Sequence, residues 1–435
     1  MTPAECASEL VRHIEKSGCD EALVRIEDET RAEDRRAHDG SRTERHGRHR
    51  VVTVSARAGD RRATAVAEGD APDLLATAGW AARSATGRAD EPPDDPGAGR
   101  PFPQPEASAP HPMPPRAERD ALFRALSSGP AAEAVLGAEY QGVAVRAACA
   151  ATGAAPASWD GVRHRLWHWT AGPGGNHLEG SVTWGDRAPD PAVPRTCREE
   201  LAAARTGATA PPDGTVPVLL APAVTLHLLG LLASTLNGRN AAQGLRGLLD
   251  RTGRRIAAPA VTVVDDGRAG HGPYGAPVDD ECTPTGRTPL ITDGVLHGFL
   301  HSRATATACG HRPNGCAVRT LPGGPVRPGP RGLRLLPGPT TADGLRRAMG
   351  NGIETVAALH PAVRGDGGRR IRLDAYGWLV ADGTRQRPVG PLRVEVGLFG
   401  WLKQVAGCGD ELLHSALFPG LAAPAVLLSE ARVTG

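Results

Sequence analysis

Aromatic residues are scarce. Phe, Trp and Tyr together make up only 3% of the 435 residues, so the core has to be assembled mainly from Ala, Val and Leu. Lysine is scarcer still: among 50 basic residues only Lys16 and Lys403 are lysines. Against 48 acidic residues the net charge is +2, which leaves no broad electrostatic footprint for nucleic acid. The surplus of Ala, Gly, Pro and Arg reads as GC-rich coding bias rather than function. No CxxC occurs. The eight cysteines (Cys6, Cys19, Cys149, Cys197, Cys282, Cys309, Cys316 and Cys408) are scattered, and the simplest expectation is free thiols in a reducing cytoplasm. No apolar run reaches the ~18 residues of a membrane span. The longest uncharged apolar stretch, 216–236, is broken by Pro217, Pro222 and His227. The amphipathic N-terminus is expected to be a helix and not a signal peptide. GxSxG and P-loop motifs are absent, which removes the commonest serine hydrolase and nucleotide signatures.

What is present is a chain long enough for two domains. Thr2-Pro3-Ala4-Glu5 is a capping box that starts a helix with a Leu10, Val11 and Ile14 stripe. Residues 22–28 alternate as a strand, and 51–69 read as a hairpin around Gly59-Asp60. Between them, 31–50 is dense in both charges and is expected to be an exposed loop or edge strand. His38, His46 and His49 sit there among arginines, which repel a metal cation. Helices are predicted over 73–86 and 119–129, and strands over 142–150, 161–171 and 176–186. Trp167 and Trp169 share one strand face as sheet-packing residues. Residues 87–116 hold ten prolines and predict an extended loop. Thr196-Cys197-Arg198-Glu199 reads as a second capping box opening a helix over 197–205. From there the pattern turns strand-rich, so the expected organisation is an N-terminal domain 1–195 and a C-terminal domain 196–435.

Three places hold candidate chemistry. His227 opens the apolar helical run TLHLLGLLAS (225–234). A helical zinc site needs two imidazoles on one face and a carboxylate to activate water, but Leu228 follows His227 directly and Gly230, Leu231 and Leu232 stand a turn later. A satisfied core histidine is the expectation. Cys309, His311 and Cys316 lie within eight residues, yet a fourth ligand is lacking. Asp279, Asp280 and Glu281 form an acidic run before a Pro-Thr-Gly turn. Such carboxylates can divide acid and base roles, or hold a loop by accepting backbone N–H groups. A hairpin with Asp293-Gly294 at its tip follows, and then a turn containing Asn314.

The order of these pieces resembles the second half of the TldD/TldE (PmbA) family. The matching segments are VPVLLAPAVTLHLLGLLAS, Gly253 to Ile256, Asp265, Asp279 to Thr285, Asp293 to Leu296, Thr305 to Gly310 and Asn314 to Ala317. GWLVADGTRQRPV, VAGCGDEL and the ending PAVLLSEARVTG follow in turn. The likeness covers about 195–435 in letters and the rest in layout. It implies an α+β, two-domain fold: an N-terminal α/β sheet-and-helix domain and a strand-rich C-terminal domain. Within the family, TldD-type chains carry zinc on a helical HExxxH motif plus a late cysteine, and TldE-type chains lack these ligands and pair with a TldD-type chain. Read on His227, the motif's glutamate is Leu228 and its second histidine Leu232, and no cysteine follows Cys408. Two departures stand out. Cys282 occupies a usual glycine position, and Gly315-Cys316 stands where Asn-Ala is commoner.

The resemblance therefore implies a TldE-like subunit with no catalytic residue and no metal of its own. His227 would be a degenerate metal-helix position. Asp279, Asp280, Glu281, Asp293 and Asn314 are the candidates for loop-holding or peptide contact. The implied partners are a TldD-like zinc metallopeptidase subunit, which would carry the zinc, and an unfolded or precursor peptide. Two other readings remain open at this point. One is a stand-alone homodimeric enzyme using Asp279, Asp280 or Glu281 with His297 or His301. The other is a non-enzymatic modulator that binds another protein.

Overall fold

The computed structural model describes residues 2–69, 73–87, 112–130, 135–170, 177–185, 187–268, 276–321, 324–364, 370–418 and 420–435. Most of the proline-rich loop, 88–111, lies outside them. The first half is one antiparallel sheet in the order β3-β2-β1-β4-β5-β6. Its strands are β1 (Glu21–Ala37), β2 (Arg42–Ala58), β3 (Arg61–Gly69), β4 (Val135–Ala151), β5 (Ala157–Thr170) and β6 (His177–Trp184). Helix α1 (Pro3–Lys16) opens on the predicted capping box, with Thr2 and Glu5 exchanging side-chain and backbone hydrogen bonds. Its Leu10 and Ile14, and the alanines Ala78, Ala81, Ala82 and Ala85 of α2 (Leu74–Thr86), pack on Val24, Ile26, Val52 and Val54. Alanine lets α2 approach the sheet closely, which compensates for the shortage of large aromatic side chains.

Residues 31–50 meet the expectation of an exposed edge strand in part: 42–49 pair with β1 alone and are exposed over 43–48, whereas 31–37 lie inside the sheet. They continue β1 and β2 as a paired ribbon out to a turn at 38–41, and β1 lies between β2 and β4. The face that carries Val24 and Ile26 goes on to carry Asp28 and Asp34, both buried. Asp28 lies opposite Arg50 and takes ion pairs from Arg50 at 2.7 Å and Arg48 at 3.0 Å. Asp34 is held by Arg42 and, at 2.8 Å, by Arg119 of α3 (Arg116–Leu126). Cross-strand ion pairs do the work that apolar pairs do elsewhere, so hydrophobic alternation cannot reveal this strand.

On β5 the two tryptophans are half-buried against the sheet, with Arg165 over Trp167 at 5.6 Å and Arg35 over Trp169 at 4.5 Å. Gly137 has no Cβ because the Trp169 ring occupies that space. The opposite face buries His164, which bonds Tyr140 Oη at 2.6 Å, and His168, whose two ring nitrogens have no hydrogen-bond partner among the described residues. Burial, aided by the Arg198 guanidinium, lowers the His168 pKa to about 4. A histidine held neutral in the folded state contributes full stability above its unfolded value of about 6.5. That stability is lost as pH falls towards 4, because the unfolded chain then binds the extra proton. The difference corresponds to about 3 kcal/mol. His168→Leu is therefore expected to flatten the fall in melting temperature between pH 7 and pH 5. An unchanged pH profile in that variant would remove His168 as the cause.

Helix α4 (Ala192–Arg205) starts five residues earlier than predicted. Thr196 lies inside it and caps nothing, while Pro194 sits in the first turn, where a missing N–H is tolerated. The second half contains β7 (Gly214–Leu220), α5 (Pro222–Thr235), α6 (Gly238–Ala242), β8 (Val263–Asp266), β9 (Arg287–Thr292), β10 (Val295–Leu296) and α7 (Arg303–Cys309). It continues with β11 (Ala317–Val318), β12 (Arg327–Pro328), β13 (Leu333–Leu335), α8 (Ala342–Met349), β14 (Gly352–Arg364), β15 (Arg370–Ala381) and β16 (Thr384–Gly397). Last come α9 (Gly400–Lys403), β17 (Val405–Cys408), β18 (Leu413–His414), β19 (Leu421–Ala423) and β20 (Val426–Thr434).

One sheet runs β16-β15-β14-β7-β20-β17 and curls so that β16 also pairs with β20; a second runs β10-β9-β8-β13-β19-β18. Both feed a single apolar core in which α5 is embedded. The mixed α+β architecture, with separate N-terminal and C-terminal sheets, agrees with the class expected from the sequence. No helix among the described residues is long and apolar enough to cross a membrane.

The two halves meet at several points. Arg25 pairs with Asp280 at 2.7 Å, and Arg319 Nη2 donates to Ser55 Oγ at 3.5 Å. Cys149 of β4 is disulfide-bonded to Cys282, which corrects the expectation that all eight thiols are free. The pair is 133 residues apart in sequence, and nothing in the spacing of scattered cysteines identifies such a match.

Candidate functional site

The β7–α5 unit carries His227. Pro222 stands at the first helical position of α5, where its missing N–H is harmless. Leu228 and Leu232 are completely buried in the C-terminal core. His227 is half-buried at the helix edge and meets the Phe418 ring edge-on at 5.6 Å. Burial lowers its pKa, so it is held as a neutral imidazole at physiological pH. Phe418 and its neighbour Leu417 are exposed. Phe418 was not legible as a partner of His227, because 191 residues separate the two.

The acidic run is drawn into a tight loop across which Val278 bridges to Pro284. Asp279 is fully buried. Its Oδ1 accepts the N–H groups of Glu281 and Thr283, both at 2.9 Å, and its Oδ2 accepts that of Ala317 at 3.0 Å. Asp280 accepts the Arg319 N–H at 2.6 Å and is ion-paired with the Arg25 guanidinium. Glu281 accepts the N–H of Arg303, the first residue of α7, at 2.6 Å. Burial raises the pKa of Asp279 and of Glu281, opposed by these N–H donors. All three side chains thus serve as acceptors for neighbouring backbone. Geometry of this kind fixes a loop; it does not aim a carboxylate at a substrate.

Asn314 belongs to the same junction. Its Oδ1 accepts the His301 N–H at 2.9 Å and its Nδ2 donates to Phe299 O at 2.8 Å. The adjoining Gly315, at φ 72°, lies against the backbone of Pro284, where a Cβ would not fit. Asp293 lies elsewhere, at the tip of the β9–β10 hairpin. Both Asp293 (φ 48°) and Gly294 (φ 80°) are left-handed, as a two-residue hairpin turn requires. The Asp293 carbonyl accepts from Arg255 at 2.8 Å. The structure therefore gathers Asp279, Asp280, Glu281 and Asn314 around α7 and β11, and leaves Asp293 and His227 on other elements.

The histidines and thiols of this region do not converge. His301 is buried and shares a hydrogen bond with His311 (Nε2 to Nδ1, 2.9 Å); burial and the His311 charge lower its pKa to about 4. His297 is exposed. Cys309 donates to Gly238 O, while Cys316 is buried and donates to Asp265 at 3.3 Å. Asp265 also takes the N–H groups of Arg331 and Gly332, both at 2.8 Å. Among the described residues no three His, Cys, Asp or Glu side chains are grouped to hold a metal ion.

Residues 213–435 match the PmbA/TldA metallopeptidase C-terminal domain. A metalloprotease of Methanothermobacter thermautotrophicus is 28% identical over 208 residues, which are 47% of this chain and 45% of that protein. The chain thus matches less than half the length of that relative. Among solved structures, a protein from Thermotoga maritima described as a modulator of DNA gyrase superposes with a TM-score of 0.76 at 18% identity, covering 99% of both chains. TldE from Thermococcus kodakarensis gives a TM-score of 0.75 at 15% identity, covering 99% of this chain and all of that one. At these identities the structural likeness establishes the fold.

Proposed function

The chain belongs to the PmbA/TldD metallopeptidase family, and from that premise we propose that it is a TldE-type subunit: it holds no zinc and pairs with a TldD-like metallopeptidase chain that does. The observation that carries this reading is the burial of Leu228 and Leu232 on α5. A helical zinc peptidase needs a water-activating carboxylate and a second imidazole beside the first. At those two positions this helix has leucines packed into its core. His227 alone does not fit a zinc ion, and its ring faces Phe418. No step of hydrolysis is assigned to residues of this chain.

In this reading the chain forms part of the wall of an enclosed chamber, and an unfolded or precursor peptide, such as that of a ribosomally made natural product, is cut there by the partner. An extended peptide in such a chamber is held by main-chain hydrogen bonds, which tolerate varied sequences. The cytoplasm is the proposed location. The acidic run supports the same assignment, since its carboxylates are occupied by backbone donors of their own junction.

The test is co-expression with a TldD-like chain carrying HExxxH. The two should co-purify and hydrolyse an unstructured peptide in a chelator-sensitive manner, while this chain alone is inactive. Hydrolysis by the isolated chain, or failure to associate with any such partner, would refute the proposal. His227→Leu should leave the complex's activity within about twofold, because no metal is assigned to it. A loss of several orders of magnitude in that variant would make His227 part of the catalytic apparatus.

A further inference from the structure

The Cys149–Cys282 bridge ties the N-terminal sheet to the acidic loop at a Cα separation of 6.0 Å, and the other six cysteines are not disulfide-bonded. Cys282 has a φ of 55°, a left-handed conformation that glycine adopts freely and that is unfavourable for a side chain with a Cβ. The turn does not need the sulfur. It is closed by the Cys282 N–H on Asp279 O at 3.1 Å and by the backbone groups gathered on the Asp279 carboxylate. What a cysteine adds at this position is its reach to Cys149.

A second tie crosses the same junction without sulfur, the ion pair of Arg25 with Asp280. Arg25 is itself fixed by Glu27 at 2.7 Å and lies over the Trp159 ring at 5.0 Å. The loop can therefore stay in place with the bridge open, but without its covalent tie. Both sulfurs are buried among Ala151, Val278 and the partly buried Leu23 and Trp159, so exchange requires the junction to open.

We propose that Cys149 and Cys282 are a reversible thiol–disulfide modification site that sets how tightly the acidic loop is held to the N-terminal sheet. In the reducing direction a thiolate of a small dithiol attacks one sulfur of the pair. The protein S–S bond breaks, a mixed disulfide forms, and one cysteine leaves as a thiolate. The second thiol of the reagent then displaces the other cysteine, which leaves two protein thiols and one oxidised dithiol. Oxidised glutathione reverses the sequence and is released as two thiols.

The test uses the full chain purified without reductant. Denaturation in a maleimide should label six thiols, and all eight after dithiothreitol. Peptide mapping of the unreduced sample should join Cys149 to Cys282. In the folded protein, amide exchange over 276–285 and 142–151 should become on the order of tenfold faster on reduction, and oxidised glutathione should restore the slow rate. Cys282→Gly keeps the turn, so it should exchange like the reduced protein and not respond to dithiothreitol. Eight labelled thiols before reduction, or exchange that is the same in both redox states, would overturn the proposal.

Discussion

Asp279→Ala should destabilise the full chain by about 3–5 kcal/mol, read as a shift in the urea midpoint. The carboxylate is fully buried and accepts three backbone N–H groups, from Glu281, Thr283 and Ala317. Removing it leaves three donors without their acceptor, one buried at Ala317 and two partly buried at Glu281 and Thr283, and a buried unsatisfied donor carries a desolvation penalty of about 1–3 kcal/mol. The loss would also reach the contact of the loop with β11, because Ala317 is the first residue of that strand. Asp279→Asn keeps one acceptor oxygen and should fall between wild type and alanine. If alanine shifts stability by less than about 1 kcal/mol, the carboxylate is not what holds the loop, and a substrate-facing role for Asp279 becomes the better reading.

Asp34→Ala should have an effect of similar size, about 3–5 kcal/mol, for a different reason. Here the orphaned groups are charged. Arg119 is only 5% exposed and binds Asp34 through Nε, the Pro114 carbonyl at 2.7 Å and Glu44 at 3.1 Å. Without Asp34 this guanidinium loses its most deeply buried counter-charge, and the anchor of α3 on the β1–β2 ribbon weakens. The pair of Arg146 with Asp160 supplies the control. It is bidentate at 2.7 and 2.9 Å but open to solvent, so Asp160→Ala should cost no more than about 1 kcal/mol. Similar losses for the two variants would mean that burial is not what makes the ribbon pairs strong.

These two carboxylates mark where reading the sequence succeeds and where it stops. Local rules were enough where the determining residues are neighbours. The Thr2 capping box, the Gly59-Asp60 and Asp293-Gly294 hairpin turns and the apolar β7–α5 run all form as their side chains dictate. Over 31–50 the exposed edge strand was legible for 42–49, but the buried β1 half was not, because what stabilises it is the pairing of acids on β1 with arginines on β2 and α3, and composition alone makes such a segment look solvated. Thr196 to Glu199 has the letters of a capping box, yet the helix already begins at Ala192.

The candidate site divides in the same way. The absence of a glutamate and a second histidine after His227 is a matter of adjacent letters, and it was plain from sequence. That Leu228 and Leu232 point into the core, that Phe418 meets His227, and that Asp280 reaches Arg25 are all long-range facts. The disulfide is the extreme case, since only the docking of two separately built sheets brings its cysteines together.

The central claim is that this chain contributes no zinc ligands, and zinc content tests it most directly. The isolated chain, purified from zinc-supplemented culture and passed through gel filtration, should carry zinc far below one equivalent by elemental analysis. The complex with its TldD-like partner should carry about one zinc per heterodimer, as expected when only one chain supplies the three protein ligands of a catalytic site. One tightly held zinc on the isolated chain, removed by a chelator and restored on adding zinc, would contradict the account.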